Sequence, residues 1–171
     1  LHGIYFYNGK EFEFKDFIVK EYTRKEEERI FKELVTFLEK HFNKYPNAFL
    51  YHYNVYEKRA LRELASDYSA TFIKGNNFVD RLLRLEKFVD LYRVVSQCMQ
   101  TSEKDLTLKT IEKFYRDERG ADIKTADDSI RIFESWLVTK NKKDLKDIIV
   151  YNEEDCISTY NLREFLIKHR P

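Results

Sequence analysis

The chain of 171 residues has few residues that interrupt regular structure, with only two prolines and four glycines. This scarcity favours long helices over a fold rich in loops. The two cysteines, Cys98 and Cys156, are too few for a disulfide scaffold or a four-cysteine zinc site. We expect both to be small interior residues. No apolar run approaches the roughly 18 residues of a membrane span and no signal-peptide pattern is present, so we expect a soluble, cytoplasmic protein.

The chain also lacks an excess of charge of either sign. Its 31 lysines and arginines almost cancel its 30 acidic residues, which leaves a net charge of +1. This balance excludes a domain that binds nucleic acid through bulk basic charge, although a local basic groove stays compatible with it. Apolar material is abundant, since 43% of the residues are hydrophobic and 16% of the residues are aromatic. The composition therefore excludes intrinsic disorder, and the length predicts a single domain over residues 1–171.

Local patterns predict strands first and then mostly helices. Two aromatic and β-branched runs, residues 1–7 and 11–19, flank Asn8-Gly9, a pair typical of a type I′ hairpin turn. Thr23-Arg-Lys-Glu26 is a capping box before a helix to about Phe42. The further predictions are a buried strand at 48–53, helices at 55–68, 78–99 (with 88–92 alternatively a strand), 106–115, 127–138 and 144–168, N-caps at Asp127 and Asp144, and a loop at 117–125. This order indicates a mixed sheet covered by helices.

The acidic segment Tyr151-Asn-Glu-Glu-Asp155 in the last predicted helix is the first candidate site. Tyr151 and Asp155 are four residues apart, so their side chains share one face of the helix. A carboxylate that binds a divalent ion, beside a tyrosine hydroxyl that positions water, suits a metal-dependent phosphodiester hydrolase. The alternative is a solvated acidic turn in which Tyr151 is an ordinary core residue.

Three further candidates lie in or after predicted strands. Glu57 follows the strand at 48–53, where the active sites of α/β folds gather; alternatively, it forms a capping pair with Asn54. His52 is either a buried strand histidine or a ligand. Asp90 is an acid within an apolar run, so it requires hydrogen bonds to backbone or basic groups, or a nearby metal ion.

Basic clusters are candidates for contact with the phosphates of nucleic acid. The clusters are Lys58-Arg59 with Arg62, Arg81 with Arg84 and Lys87, and Lys140 with Lys142 and Lys143. Helices of soluble proteins carry such charged faces without any ligand, and that alternative stays open for each cluster.

Five segments in a fixed order resemble one family. They are HYNVYEKRAL at 52–61, FVDLYRVV at 88–95, LKTIEKFY at 108–115, DSIRIFESW at 128–136 and YNEEDC at 151–156. Together they are similar to the ribonuclease H-like 3′–5′ exonuclease domain of predicted RecB-family nucleases. The resemblance covers almost the whole chain, from the hairpin to Phe165. In that family the domain commonly follows a RecB-like nuclease domain, and some relatives are joined to helicase modules.

The resemblance implies an α/β fold with a five-stranded, ribonuclease H-like mixed sheet and helices on both sides. It also implies a DEDDy mechanism, in which four acidic residues and a tyrosine hold two divalent ions, Mg²⁺ or Mn²⁺. Tyr151 would orient the attacking water, and Asp155 and Glu57 would bind metal. Asp90 corresponds to a recurrent position after the second motif of the family, and His52 is a further possible site residue.

The chain departs from the family pattern in two places. Glu57 stands where the second motif usually has an aspartate. The first motif, Asp-x-Glu on the first strand, is not found, because Glu11-Phe-Glu13 lies after the turn, on the wrong strand. Either the first strand, which would carry the remaining acidic ligands, lies upstream of Leu1, as we expect, or the protein has lost half of its metal site.

These observations leave three hypotheses from different classes. The first is a metal-dependent 3′–5′ exonuclease domain that acts on DNA or RNA within a larger nuclease protein, beside nuclease or helicase domains. The second is a non-catalytic module that binds nucleic acid or acts as a scaffold within a DNA repair or processing enzyme. The third is a protein-interaction domain without affinity for nucleic acid.

Overall fold

The computed structural model describes residues 1–116 and 126–170, and it shows a mixed α/β domain. The strands are β1 (His2–Tyr7), β2 (Phe12–Phe17), β3 (Leu50–His52) and β4 (Phe88–Asp90). The helices are α1 (Arg24–Lys44), α2 (Tyr56–Asp67), α3 (Ile73–Arg84), α4 (Leu91–Cys98), α5 (Leu108–Glu112), α6 (Ala126–Thr139) and α7 (Lys142–Lys168). The loop predicted at 117–125 lies outside the described residues. None of the described helices combines the length and the apolar character needed to cross a membrane.

The predicted hairpin is confirmed, but its turn is centred one residue later than expected. Strands β1 and β2 pair antiparallel, with Tyr7 opposite Phe12. Asn8 and Glu11 then face each other through a backbone hydrogen bond of 3.0 Å, which leaves Gly9 and Lys10 as the central residues. Gly9 has a φ of 112°. Glycine therefore takes the first central position, where a side chain would be strained.

The described residues form two separate two-stranded sheets, which differs from the five-stranded sheet that the resemblance implies. Strands β3 and β4 pair parallel, from Leu50 opposite Phe88 to His52 opposite Asp90. Since the described residues provide β1 and β3 with one partner each, each of these strands has one unpaired edge.

Helix α1 begins at the predicted cap, although only half of the capping box forms. The Thr23 hydroxyl accepts a hydrogen bond from the Glu26 amide at 3.2 Å. The Glu26 carboxylate does not return to Thr23; it accepts from the Lys20 amide and pairs with Arg29 at 2.8 Å. The buried face of α1 forms the main hydrophobic core together with α2, α3 and Phe17 of β2.

The segment 78–99 is not one helix, and the alternative prediction of a short strand near Phe88 is confirmed. Helix α3 ends at Arg84, and Glu86 adopts a left-handed backbone conformation with a φ of 52° before β4 begins. Cys98, predicted to be interior, is exposed at the end of α4. The cap predicted at Asp144 is wrong, because Asn141 caps α7 by accepting from the Lys143 amide at 2.9 Å. Asp127 lies within the first turn of α6.

Helix α7 connects the two sheets. It packs against β1, β2 and β3 and also against α4, α5 and α6. Near its end, the Tyr160 ring lies 4.6 Å from the Phe12 ring of the hairpin, and Arg163 lies over the Tyr51 ring of β3 at 4.9 Å. Because one helix contacts both sheets, its middle turns face the space between them.

Candidate active site

A cavity of about 1350 Å³ is lined by both β1 and β3. Its wall includes every residue of both strands, together with parts of α2 and α7. Glu57, Tyr151 and Asp155 all line this cavity. The three residues that the sequence singled out for catalysis are thus brought together from two distant parts of the chain.

A tight turn after β3 places Glu57. Asn54 has a φ of 75°, and its backbone N–H donates to the Asp90 carboxylate at 2.9 Å. The Asn54 side chain accepts from the adjacent Val55 amide at 2.8 Å, so it does not cap the helix. The expected capping pair of Asn54 and Glu57 is therefore wrong, since Val55 is the N-cap and has no side-chain capping bond. Glu57 is left in the first turn of α2 with its carboxylate toward the cavity.

Glu57 lies near two other acidic groups, Asp90 and Asp155. Desolvation raises its pKa to about 7, and the negative charges of Asp90 and Asp155 act in the same direction. The side chain is still 61% exposed, because the cavity gives water a route to it. Repulsion between neighbouring carboxylates at a solvent-accessible point is the condition that a bound cation relieves.

Tyr151 and Asp155 share one face of α7, as their spacing predicts. The Tyr151 ring is only 7% exposed and packs with Trp136 and Ile148, while Lys109 lies over the ring at 4.8 Å. Asp155 is half-buried one turn later. This arrangement holds the tyrosine firmly and leaves both polar ends on the cavity wall.

His52 and Asp90 both form hydrogen bonds to Asn54 in the turn after β3. His52 is buried, and its Nδ1 donates to the Asn54 carbonyl at 2.6 Å. The same nitrogen is 3.9 Å from a Glu57 carboxylate oxygen. Asp90 caps α4 by accepting from the Tyr92 amide at 3.0 Å, with the same oxygen that holds Asn54. Both residues position the turn that carries Glu57.

The basic clusters do not share one location. Lys58, Arg59 and Arg62 line a second cavity of about 540 Å³ on the other side of α2. The remaining clusters contact their own chain: Arg84 pairs with Asp80 at 2.5 Å, Lys87 donates to the Pro46 carbonyl at 2.9 Å, and Lys140 donates to the Lys20 carbonyl at 2.6 Å.

The structure adds two cavity residues that the sequence did not single out. Asn152 lines the cavity, and its Oδ1 is the one buried side-chain oxygen or nitrogen among the described residues without a hydrogen-bond partner. Cys156 also lines it, and burial, followed by the charges of Asp155 and Glu57, raises the pKa of its thiol to about 12. Their only sequence signal is adjacency to Tyr151 and Asp155.

The donor atoms at this site are those that suit a hard divalent cation. Glu57 and Asp155 offer carboxylate oxygens on the cavity wall. Within residues 1–116 and 126–170, no three histidine, cysteine or acidic side chains converge as a complete metal-binding group. One or two carboxylates suffice for magnesium when water and substrate phosphate complete its shell, so the residues present fit such an ion.

Fold and site together define a mixed α/β domain in which acidic residues line a cavity beside the parallel strands β3 and β4. A family model described as RNase_H superfamily matches residues 1–167, so the chain belongs to the RNase H superfamily. This membership supports a nuclease-type hydrolase with a nucleic-acid substrate. Searches of curated proteins and of solved structures gave no match.

Proposed function

We propose that the chain is a metal-dependent 3′–5′ exonuclease domain of the DEDDy type, which hydrolyses phosphodiester bonds of DNA or RNA. The observation that carries this proposal is the meeting of Glu57, Asp155 and Tyr151 on the wall of one cavity, in a chain of the RNase H superfamily. The alternative of a solvated acidic turn does not account for Glu57, which reaches the same cavity from α2.

In this proposal Asp155 and Glu57 would supply part of the ligands of two divalent ions, Mg²⁺ or Mn²⁺. When bound, such ions lower the pKa of water and neutralise charge on the phosphate. Tyr151 orients the attacking water through its hydroxyl, because the packing of its ring against Trp136 and Ile148 fixes the side chain. Ionised Glu57 is needed for metal binding, so a fall in pH through about 7 weakens the site.

We also propose that an additional strand fits between β1 and β3 and joins the two sheets. The unpaired edge of each strand and the cavity that both strands line support this proposal. Backbone N–H and C=O groups along both edges would then be paired, as buried backbone groups require. Slow amide hydrogen exchange along β1 and β3 in the natural full-length protein is the expected result, and fast exchange along both edges contradicts it.

The wider context rests on the resemblance to RecB-family nucleases. On this basis we propose that the domain belongs to a larger protein, beside nuclease or helicase domains, with a role in DNA repair.

One observation favours a second candidate, a module that binds nucleic acid or acts as a scaffold without cleaving. The described residues lack a complete group of three metal ligands, and a chain with two carboxylates alone holds a divalent ion weakly. Such a module binds nucleic acid in a salt-sensitive way but shows no metal-dependent cleavage.

The nuclease assay separates the two candidates. Natural full-length protein is incubated with single-stranded DNA or RNA labelled at either end, with Mg²⁺, Mn²⁺ or EDTA. We expect metal-dependent removal of nucleotides from the 3′ end, reduced at least about 100-fold in Asp155→Asn.

Asp147→Asn is the matched control, since Asp147 lies on the same helix and does not line the cavity. Equal activity of Asp155→Asn and Asp147→Asn would sink the catalytic assignment. If another nuclease domain of the protein contributes cleavage, the comparison of the two variants still isolates the part that depends on this site.

A further inference from the structure

Helices α2 and α4 each contribute one face to the wall of the second cavity. Strands β3 and β4 are parallel neighbours, and each leads into a helix at its carboxyl end, α2 and α4. Each helix presents positions spaced i, i+3, i+4 and i+7, which form one face. These positions are Val55, Lys58, Arg59 and Arg62 around α2, and Asp90, Arg93, Val94 and Gln97 around α4.

The charge of this cavity is predominantly positive. Across the part of the chain that the structure describes, Lys58, Arg62 and Arg93 have no carboxylate within the 4.0 Å of an ion pair, whereas Arg59 pairs with Glu63 at 2.8 Å. Asp90 is the acidic residue of the wall, and its Oδ1 already accepts two backbone N–H groups. Three cations therefore face the cavity without an ion-pair partner among the described residues.

The wall of the cavity also carries apolar side chains, because Val55, Phe88, Val89 and Val94 line it together with the cations. A wall of this kind matches a nucleotide chain, in which apolar faces of sugars and bases alternate with charged phosphates. A free inorganic anion would make no use of the apolar side chains.

The cavity adjoins the candidate active site. His52 and Phe88 line both cavities, and Lys58 follows Glu57 directly on α2. Nucleic acid held at Lys58 and Arg62 thus lies one helix face away from the Glu57 carboxylate. Arg93 joins this surface from α4, and no sequence motif had marked it.

We propose that the cavity between α2 and α4 binds the phosphodiester backbone of a single-stranded nucleic acid through Lys58, Arg62 and Arg93. This inference rests on the proposed function for its position, since the bound strand leads to the site of Glu57. It assigns a binding role to one basic surface and none to the Arg84 and Lys140 clusters.

The test measures binding separately from cleavage. Fluorescence anisotropy follows a labelled oligo-dT of about 20 nucleotides, longer than one common binding site, with EDTA present throughout. Because metal is absent, the result does not depend on whether Glu57 and Asp155 form a metal site. Failure of the nuclease assay with retained binding therefore counts against the proposed function alone.

We expect Arg62→Gln/Arg93→Gln to lower the slope of log affinity against log salt by about 1.4, or about 0.7 for each phosphate that the variant no longer neutralises. At about 0.1 M salt this corresponds to an affinity roughly 25-fold lower. Arg62→Lys/Arg93→Lys keeps both charges and should recover most of the affinity. Lys25→Gln/Lys40→Gln removes the same charge from exposed positions of α1 that line neither cavity, and it should change the affinity little.

Three binding results would overturn the proposal, and one competition result would do so as well. The unmodified protein fails to bind the oligonucleotide; the two glutamine pairs weaken binding equally, which indicates only diffuse charge; or Arg62→Gln/Arg93→Gln binds normally. Inorganic tripolyphosphate serves as a competitor. If tripolyphosphate displaces the oligonucleotide at concentrations close to the dissociation constant of the oligonucleotide, the cavity is a site for free phosphate. The assignment to nucleic acid is then wrong.

Discussion

Glu57 shows how the environment of a single residue controls its ionisation. In the unfolded chain its carboxyl has an ordinary pKa of 4.5, whereas in the folded chain the pKa is raised to about 7 by desolvation and by Asp90 and Asp155. Between these values the unfolded state releases a proton that the folded state retains. Without a bound cation, the folded protein therefore loses stability as pH rises from about 4.5 to 7, and the loss persists above pH 7.

Glu57→Gln should remove this penalty, because glutamine is neutral at every pH. In EDTA at pH 8 we expect the unfolding midpoint of the variant to exceed that of the unmodified protein by about 2–4 °C. This corresponds to about 1 kcal/mol after discounting for the solvent that reaches the side chain. At pH 4 the two midpoints should coincide. Glu39→Gln, at an exposed position of α1, is the control. If the unfolding midpoints of Glu57→Gln and the unmodified protein differ by the same amount at pH 4 and pH 8, ionisation of Glu57 does not cause the difference.

Individual residues of the site also differ in how far the sequence predicts their positions. The i, i+4 spacing was sufficient to place Tyr151 and Asp155 on one face. No local pattern showed that Asn54 would adopt a left-handed conformation held by Asp90, a contact between two strand ends far apart in sequence. The expected capping pair with Glu57 failed for that reason.

The contact between α7 and the hairpin is the clearest packing constraint among the elements. A methyl group added at Gly3 of β1 would lie 1.9 Å from the Asn152 Oδ1 of α7 and 2.7 Å from the Phe14 ring. No side chain fits at such distances, so glycine allows the helix to lie close against the strand. This approach sets the position of the turn that carries Tyr151.

Gly3→Ala should destabilise the protein by about 1–3 kcal/mol, the usual cost of overpacking, as measured by denaturant unfolding. Asn152→Ala removes the clashing side chain and an unpartnered buried oxygen, so the cost of Gly3→Ala should shrink in that background. It should not vanish, because Phe14 remains. Equal stability of Gly3→Ala and the unmodified protein, or equal cost in both backgrounds, would show that the contact is wrongly described.

Elements with strong local patterns were predictable from the sequence. The hairpin, α1 with its Thr23 cap and the helix after β3 all follow from turn chemistry, capping and periodicity. The break between α3 and β4 depends on Glu86, which adopts a left-handed backbone conformation. A glutamate does not predict this conformation. At the start of α7, Asn141 and Asp144 are both good capping residues, and periodicity could not decide between them.

At the scale of the whole molecule, the site depends on α7 contacting both sheets. Glu57 and Asp155 lie far apart in sequence and meet only because this helix closes one side of the cavity between β1 and β3. Such long-range assembly is invisible to periodicity, and only the family resemblance anticipated it. The same resemblance implied a continuous five-stranded sheet, whereas the described residues show two separate two-stranded sheets.

The central claim is that Glu57 and Asp155 together hold a divalent cation, and direct Mn²⁺ binding tests it. Electron paramagnetic resonance of free Mn²⁺, titrated with natural full-length protein at pH 8, measures the affinity without any nucleic acid. We predict that Glu57→Gln and Asp155→Asn each weaken binding by at least about tenfold, whereas Asp147→Asn does not. If the Mn²⁺ affinity is unchanged in both Glu57→Gln and Asp155→Asn, these two residues do not hold the cation.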